Sequence, residues 1–206
     1  MNSDMKSQKD NSIHPRYVVV VGLTCARKTT VVNGLRTLEF SSRFYIPKRY
    51  ITRPQRPKDD VIENAFCTMS EFENRVASGE IFPYWERQLG SNRIEKYGFE
   101  RQSQSDNRIV VLSANNAFLR NINPTSKAVL ADSFIILVQA DYDVRVKRLM
   151  ARSPHLPIEE IHIRMNDSDE DIIRTYKPAR VDTSSLTDEE SQAQFISVVS
   201  KRIQGE

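Results

Sequence analysis

Tyr17-Val-Val-Val-Val-Gly22 is an unbroken apolar run of β-branched residues closed by a glycine. No polar residue alternates within it, which suits a strand buried on both faces, as in a parallel sheet. Over 28–40, Val31, Val32, Leu35 and Leu38 fall at helical spacing on one apolar face, and this predicts a helix. A strand, a glycine-containing turn and a helix in that order open an α/β domain. Further buried-strand patterns lie at 108–112 (RIVVL) and Ser133–Gln139 (SFIILVQ). Asp141 is placed to cap a helix over Tyr142–Arg152, and Pro157 suits the first turn of another running to about residue 176. A short strand is expected at Ala179–Asp182. Thr187 and Glu190 then have capping-box spacing ahead of a helix that runs to the C-terminus. Alternating strands and helices predict the α/β class, a parallel sheet flanked by helices.

One stretch breaks this rhythm. Over 53–104 charge is dense, and Pro54, Pro57 and Pro83 interrupt regular structure. A single helix is expected over 71–78, with Ser70 and Glu73 as its capping box. Phe66, Phe72, Phe82, Tyr84, Trp85 and Tyr97 supply apolar bulk, so the stretch reads as an inserted subdomain rather than a linker. Residues 1–15 are polar and aperiodic and read as a disordered tail, which leaves 16–206 as the domain.

Composition narrows the function classes. A chain of 206 residues is one domain with an insertion, at ~150 residues per domain. Its apolar runs fall far short of the roughly 18 residues of a membrane helix, and the N-terminus lacks the apolar core of a secretory signal, so no membrane role is expected. Two cysteines, Cys25 and Cys67, make neither a disulfide framework nor a zinc site, and a reducing cytoplasm is the expected compartment. The net charge of +3 is too small to argue for nucleic acid, and the arginines are not interleaved with aromatics as a stacking platform requires. Oligomeric state stays open.

Placement of charge says more. Gly22-Leu-Thr-Cys-Ala-Arg-Lys-Thr29 stands at the strand-to-helix junction, where a phosphate loop reads G-x-x-x-x-G-K-[ST]. In such a loop the backbone N–H groups of Thr24, Cys25, Ala26, Arg27 and Thr30 converge on phosphates, Lys28 neutralises the β/γ oxygens of ATP and Thr29 ligates Mg²⁺. Arg27 replaces the second glycine and Cys25 stands where many small-molecule kinases have another. Glycine there permits positive φ and close approach of backbone to phosphate. The segment is either an altered nucleotide loop or a strand–helix turn that merely begins with glycine.

Arginines recur at three further places. Arg53 and Arg56, between prolines, form either a fork for a phosphate or a solvated basic loop. Arg145, Arg148 and Arg152 share one face of the helix after Asp141. Arg164 follows beyond the hinge Ser153-Pro-His-Leu-Pro157, so 148–165 is either a lid over a triphosphate or a surface helix pair laced by its own acids. Loop, fork and lid come in the order a phosphoryl-transfer enzyme uses.

In these motifs the chain resembles the guanylate kinase family, with features of the ribose 1,5-bisphosphate phosphokinases, from about residue 16 to the C-terminus. Thr52-Arg-Pro-Gln-Arg-Pro-Lys-Asp59 is similar to T-T-R-x-P-R-x-G-E, Phe66-Cys-Thr-Met-Ser-Glu-Phe72 to F-x-S-x-x-E-F, Tyr97-Gly98 to Y-G, and Arg148-Leu-Met-Ala-Arg152 to the lid's R-L-x-x-R. Arg49-Tyr-Ile-Thr-Arg-Pro54 and Trp85 lean towards the bisphosphate enzymes. The resemblance implies a P-loop kinase moving the ATP γ-phosphate, with Mg²⁺, to a small phosphorylated acceptor, either a GMP-like nucleoside monophosphate or a ribose bisphosphate. Lys28, Arg148, Arg152 and Arg164 would act on the transferring group, with Asp182 and Thr183 bordering the adenine. Arg53, Arg56, Asp59, Asn64, Glu86 and Tyr97 would hold the acceptor. Asn64 stands where the family has a phosphate-contacting tyrosine and Phe99 where it has a guanine-contacting hydroxyl. Glu86 is a stand-in for the guanine-reading acid, and Leu112-Ser-Ala-Asn-Asn116 lacks the family's carboxylates. An alternative is an inactive module of the same fold that binds a phosphorylated ligand or an acidic peptide.

Overall fold

The computed structural model describes residues 15–56, 59–89, 93–103 and 106–204. The expected tail, apart from Pro15, lies outside the described residues, as do Pro57 and Lys58 beside the arginine fork. In chain order the elements are β1 (Tyr17–Val21), α1 (Lys28–Asn33), β2 (Phe44–Tyr45), β3 (Arg49–Ile51), β4 (Asn64–Phe66), α2 (Met69–Ala77), β5 (Ile81–Leu89), β6 (Arg93–Glu100), β7 (Ile109–Ser113), α3 (Ala117–Asn121), α4 (Ala128–Ala131), β8 (Ser133–Gln139), α5 (Tyr142–Arg152), α6 (Ile158–Met165), α7 (Glu170–Tyr176), β9 (Ala179–Asp182) and α8 (Asp188–Gln204).

The valine run is the centre of a five-stranded sheet in the order β2–β7–β1–β8–β9, in which every pairing is parallel. Because side chains alternate across a strand, Val18 and Val20 pack with Val31, Val32 and Leu35 and with Phe195 and Val199 of α8. Val19 and Val21 pack on the other face with Phe118 and Leu119 of α3 and Ile172 of α7. Burial on both faces explains why the run carries no polar alternation.

The insertion forms a second sheet, β4–β3–β6–β5, whose β5–β6 hairpin is antiparallel. It starts at Arg49 rather than at residue 53, and its two longest strands are not apparent in the sequence pattern. Pro83 reads as a break, yet β5 accommodates it where the register against β6 shifts between Ile81 and Tyr84. Trp85 is fully buried and packs on Tyr97, Phe99 and Phe118, so the second sheet shares the core of the first.

Several boundaries differ from expectation. The helix expected over 28–40 ends at Asn33 and continues as 3₁₀ turns at Gly34–Thr37 and Ser41–Arg43. Gly34 lies so close to α8 that a Cβ would come within 2.9 Å of Gln192 Cβ. The capping box of α2 is Thr68 with Glu71, not Ser70 with Glu73: Glu71 N–H donates to Thr68 Oγ1 at 3.2 Å and Thr68 N–H to Glu71 Oε2 at 2.7 Å. Asp141 makes no side-chain cap on α5, and its N–H donates to Ser184 Oγ at 2.9 Å. The helix expected from Pro157 to about 176 is two, α6 and α7. Arg120 ties the break to α3 by donating to Asp167 and Asp171, each at 2.7 Å. The box between Thr187 and Glu190 forms as expected. No helix among the described residues is long and apolar enough to cross a membrane.

Candidate functional site

The loop after β1 turns at Gly22 (φ 152°), where a Cβ would lie 2.1 Å from the Val138 carbonyl oxygen of β8. Cys25 (φ 63°) and Arg27 (φ 67°) both adopt the left-handed conformation without being glycine, at a cost of order 1–2 kcal/mol each. Arg27 is held there from outside the loop. Its Nε meets Asp188 Oδ1 at 2.9 Å and its Nη1 donates to the Leu186 carbonyl, which draws the side chain to the start of α8. Lys28 Nζ donates to the carbonyls of Gly22 at 2.7 Å and Leu23 at 2.9 Å. Desolvation first, then the neighbouring charges of Arg49, Arg87 and Arg152, lower its pKa from 10.5 to about 7.

Thr24, Cys25, Ala26, Arg27, Lys28, Thr29 and Thr30 line one wall of a cleft of about 700 Å³. Gly22 lies behind that wall. Asp182 and Thr183 are also outside it. The Asp182 carboxylate accepts from the N–H and hydroxyl of Ser184, while Thr183 is buried against the Ala26 and Gln139 carbonyls. Arg148 borders the cleft but already donates to Thr183 Oγ1 at 3.0 Å, to the Thr183 carbonyl and to the Cys25 carbonyl at 3.3 Å, clamping the loop to the end of β9.

The second sheet supplies the facing wall. Alternation along the strand puts Arg49, Ile51 and Arg53 on the cleft together. Arg53 binds Asp59 with both ends of its guanidinium, at 2.6 and 2.9 Å, and covers the Phe66 ring at 5.3 Å. Burial opposes the Asp59 charge, but the hydrogen bonds from Arg53 and the Arg56 N–H outweigh it and hold the carboxyl below its ordinary range. The Arg56 side chain has no partner among the described residues. Burial, then Arg53 and Arg164, lower its pKa to about 10. Asn64 accepts from Arg49 Nε at 3.0 Å and Nη2 at 2.8 Å. Tyr97 stacks on Trp85 at 5.3 Å and donates to the buried Glu95, which also accepts from Arg93 at 2.7 Å. Glu86 is a correction. Trp85, Arg87 and Leu89 point inward along β5, so Glu86 points outward, 3.5 Å from Lys96.

On the helical side Arg152 and Arg164 reach the cleft. Arg164 pairs with Glu160 at 2.8 Å and keeps Nη1 buried without a partner among the described residues. Arg145 does not belong with them. It is buried, donates to the Ala140 carbonyl at 3.2 Å and lies 3.8 Å from Met165 sulfur, joining α5 to α6.

Sequence reasoning missed Arg87, Arg93 and Asn115 and left Arg49 without a role, although the spacing Arg49-x-Ile51-x-Arg53 carried the signal for one strand face. Among the described residues the cleft gathers ten cationic side chains against four carboxylates. Each carboxylate is engaged: Asp59 by Arg53, Glu160 by Arg164, Asp188 by Arg27, and Asp60 by the N–H groups of Ile62 and Glu63. A chain of net charge +3 thus concentrates its excess here.

This donor set does not match the Mg²⁺ expected at Thr29. Mg²⁺ is bound through carboxylates and phosphates, in P-loop enzymes with an aspartate at the end of a neighbouring strand. Beside β1, β7 ends at Ser113 and is followed by Ala114, Asn115 and Asn116, and the Ser113 carbonyl already accepts from Arg49 at 2.8 Å. No group of three or more His, Cys, Asp or Glu suited to a metal occurs among the described residues.

No family model and no curated protein matches the chain. Among solved structures it is similar to a guanylate kinase from Anaplasma phagocytophilum, with TM-score 0.56 and 14% identity over 91% of this chain and 86% of that one. A gluconokinase from Sinorhizobium meliloti 1021 follows at TM-score 0.45 and 10% identity, over 93% and 96%. The fold is that of a P-loop kinase. Within it, the loop after β1 occupies the carboxyl edge of the parallel sheet, where ligands of open α/β sheets bind.

Proposed function

We propose that the chain is a phosphotransferase that moves the γ-phosphate of ATP to a small phosphorylated acceptor. The observation that supports it is convergence. Lys28 from the loop, Arg53 and Arg56 from the insertion, and Arg152 and Arg164 from the helical side are distant in sequence yet face one cleft. Phosphoryl transfer asks little of a protein beyond positioning and charge neutralisation, and this cleft is built for both. Lys28 holds the β/γ oxygens, the Arg53–Asp59 pair presents a fixed fork to the acceptor phosphate, and Arg152 and Arg164 close on the group in transit.

A phosphorylated sugar fits the acceptor side better than a purine nucleotide. Phe99 is buried in the aromatic core and Glu86 faces away, so neither is available to read a base. The test is turnover of ATP against a panel of nucleoside monophosphates and ribose bisphosphate. Transfer to the sugar phosphate, lowered at least 100-fold in Lys28→Ala, is the expected result; equal turnover by parent and variant would sink the proposal.

One observation favours a second reading, an inactive module that binds a phosphorylated ligand. Lys28 and Arg148 are both occupied with backbone carbonyls of their own chain. Absence of ATP binding in the parent, with binding gained by Arg27→Gly, would support the module.

A further inference from the structure

The cleft that Lys28 lines also holds two guanidiniums that no phosphate-loop motif requires. Arg49 is fixed by neutral acceptors, Asn64 Oδ1 and the Ser113 carbonyl at the end of β7. No carboxylate lies within ion-pair distance of it among the described residues. Arg87 reaches the same cleft from β5 and has no hydrogen-bond or ion-pair partner among the described residues. Of the other arginines of the cleft, Arg53 is paired with Asp59, Arg93 with Glu95, Arg164 with Glu160 and Arg27 with Asp188, while Arg56 and Arg152 have no acid partner among the described residues. Arg49, Arg87 and Lys28 line one cleft, Lys28 from the loop after β1 and the two arginines from β3 and β5 of the facing sheet. Within the cleft fixed positive charge is in surplus, and three of its four carboxylates, Asp59, Glu160 and Asp188, are already paired with arginines.

We infer that Lys28, Arg49 and Arg87 form an anion subsite that takes a phosphate group of the bound polyphosphate directly, with the two guanidiniums in the place of a protein-held divalent cation. This rests on the loop being a polyphosphate site. A guanidinium is permanently charged and presents paired N–H groups that match two phosphate oxygens, whereas Mg²⁺ on those oxygens would bring two further positive charges against three cations. The site therefore prefers its ligand free of metal.

The experiment is calorimetric titration of the full chain with inorganic tripolyphosphate, in excess EDTA and in excess MgCl₂. The expected result is binding in EDTA that Mg²⁺ weakens severalfold. Arg87→Gln, which breaks no bond within the fold, should weaken binding in EDTA about tenfold, the loss of one charge-assisted pair. Arg49→Gln should do the same, and Arg87→Gln decides alone if that variant does not fold. Unchanged affinity in Arg87→Gln, or tightening by Mg²⁺ in the parent, overturns the inference. Binding only with Mg²⁺ overturns it while the phosphotransferase proposal stands; no binding in either buffer overturns both.

Discussion

Lys28 is the residue on which the cleft's electrostatics act most visibly. With a pKa near 7 in the free protein and 10.5 in an unfolded chain, it is mostly neutral at pH 8 when folded and charged when unfolded. The unfolded state thus binds more protons between about pH 7 and 10, so this group adds stability as pH rises through that window and opposes folding below it. A bound polyphosphate reverses the balance by favouring the ammonium. Titration at pH 8 in buffers of different ionisation enthalpy should show uptake of roughly one proton per ligand, and affinity should fall as pH rises above 7. Heats independent of buffer would contradict this. Arg27 gives a second test. Glycine accepts its left-handed backbone without cost, whereas alanine does not, so Arg27→Gly should unfold in urea with about 1 kcal/mol more stability than Arg27→Ala.

Among the elements, α2 shows how local chemistry decides a boundary. Thr68→Ala should cost about 1 kcal/mol, while Ser70→Ala, outside the box, should stay within about 0.5 kcal/mol; thermal unfolding of the pair separates the two placements. The central strands of the parallel sheet were legible because burial on both faces leaves unbroken apolar runs, as at Tyr17–Val21 and Ser133–Gln139, whereas the two-residue edge strand Phe44–Tyr45 was not. α5 was legible from its single apolar face. The β5–β6 hairpin was not, since its polar residues alternate towards a wet cleft and Pro83 sits at an irregularity of register. Of the site, Lys28, Arg53, Arg56, Arg152 and Arg164 were legible from spacing. Glu86 was misplaced because a motif fixes position along the chain, not the direction a side chain takes. Arg87 had no motif at all, only its place on β5.

For the whole molecule the decisive contact is between the two sheets. Trp85, Tyr97 and Phe99 from the insertion and Phe118 and Ile122 from the main domain belong to one hydrophobic cluster. Trp85→Ala should therefore cost ~3–5 kcal/mol and lower a single cooperative transition; two separate transitions would show that the sheets unfold independently. The shared cluster also has a consequence for how ligand preference can diversify on this scaffold. The platform carrying Arg49, Arg53 and Arg87 is not a cassette to be excised or grafted, because removing it would strip the hydrophobic cover from α3. New specificity has to come by exchanging individual side chains on a floor that stays put.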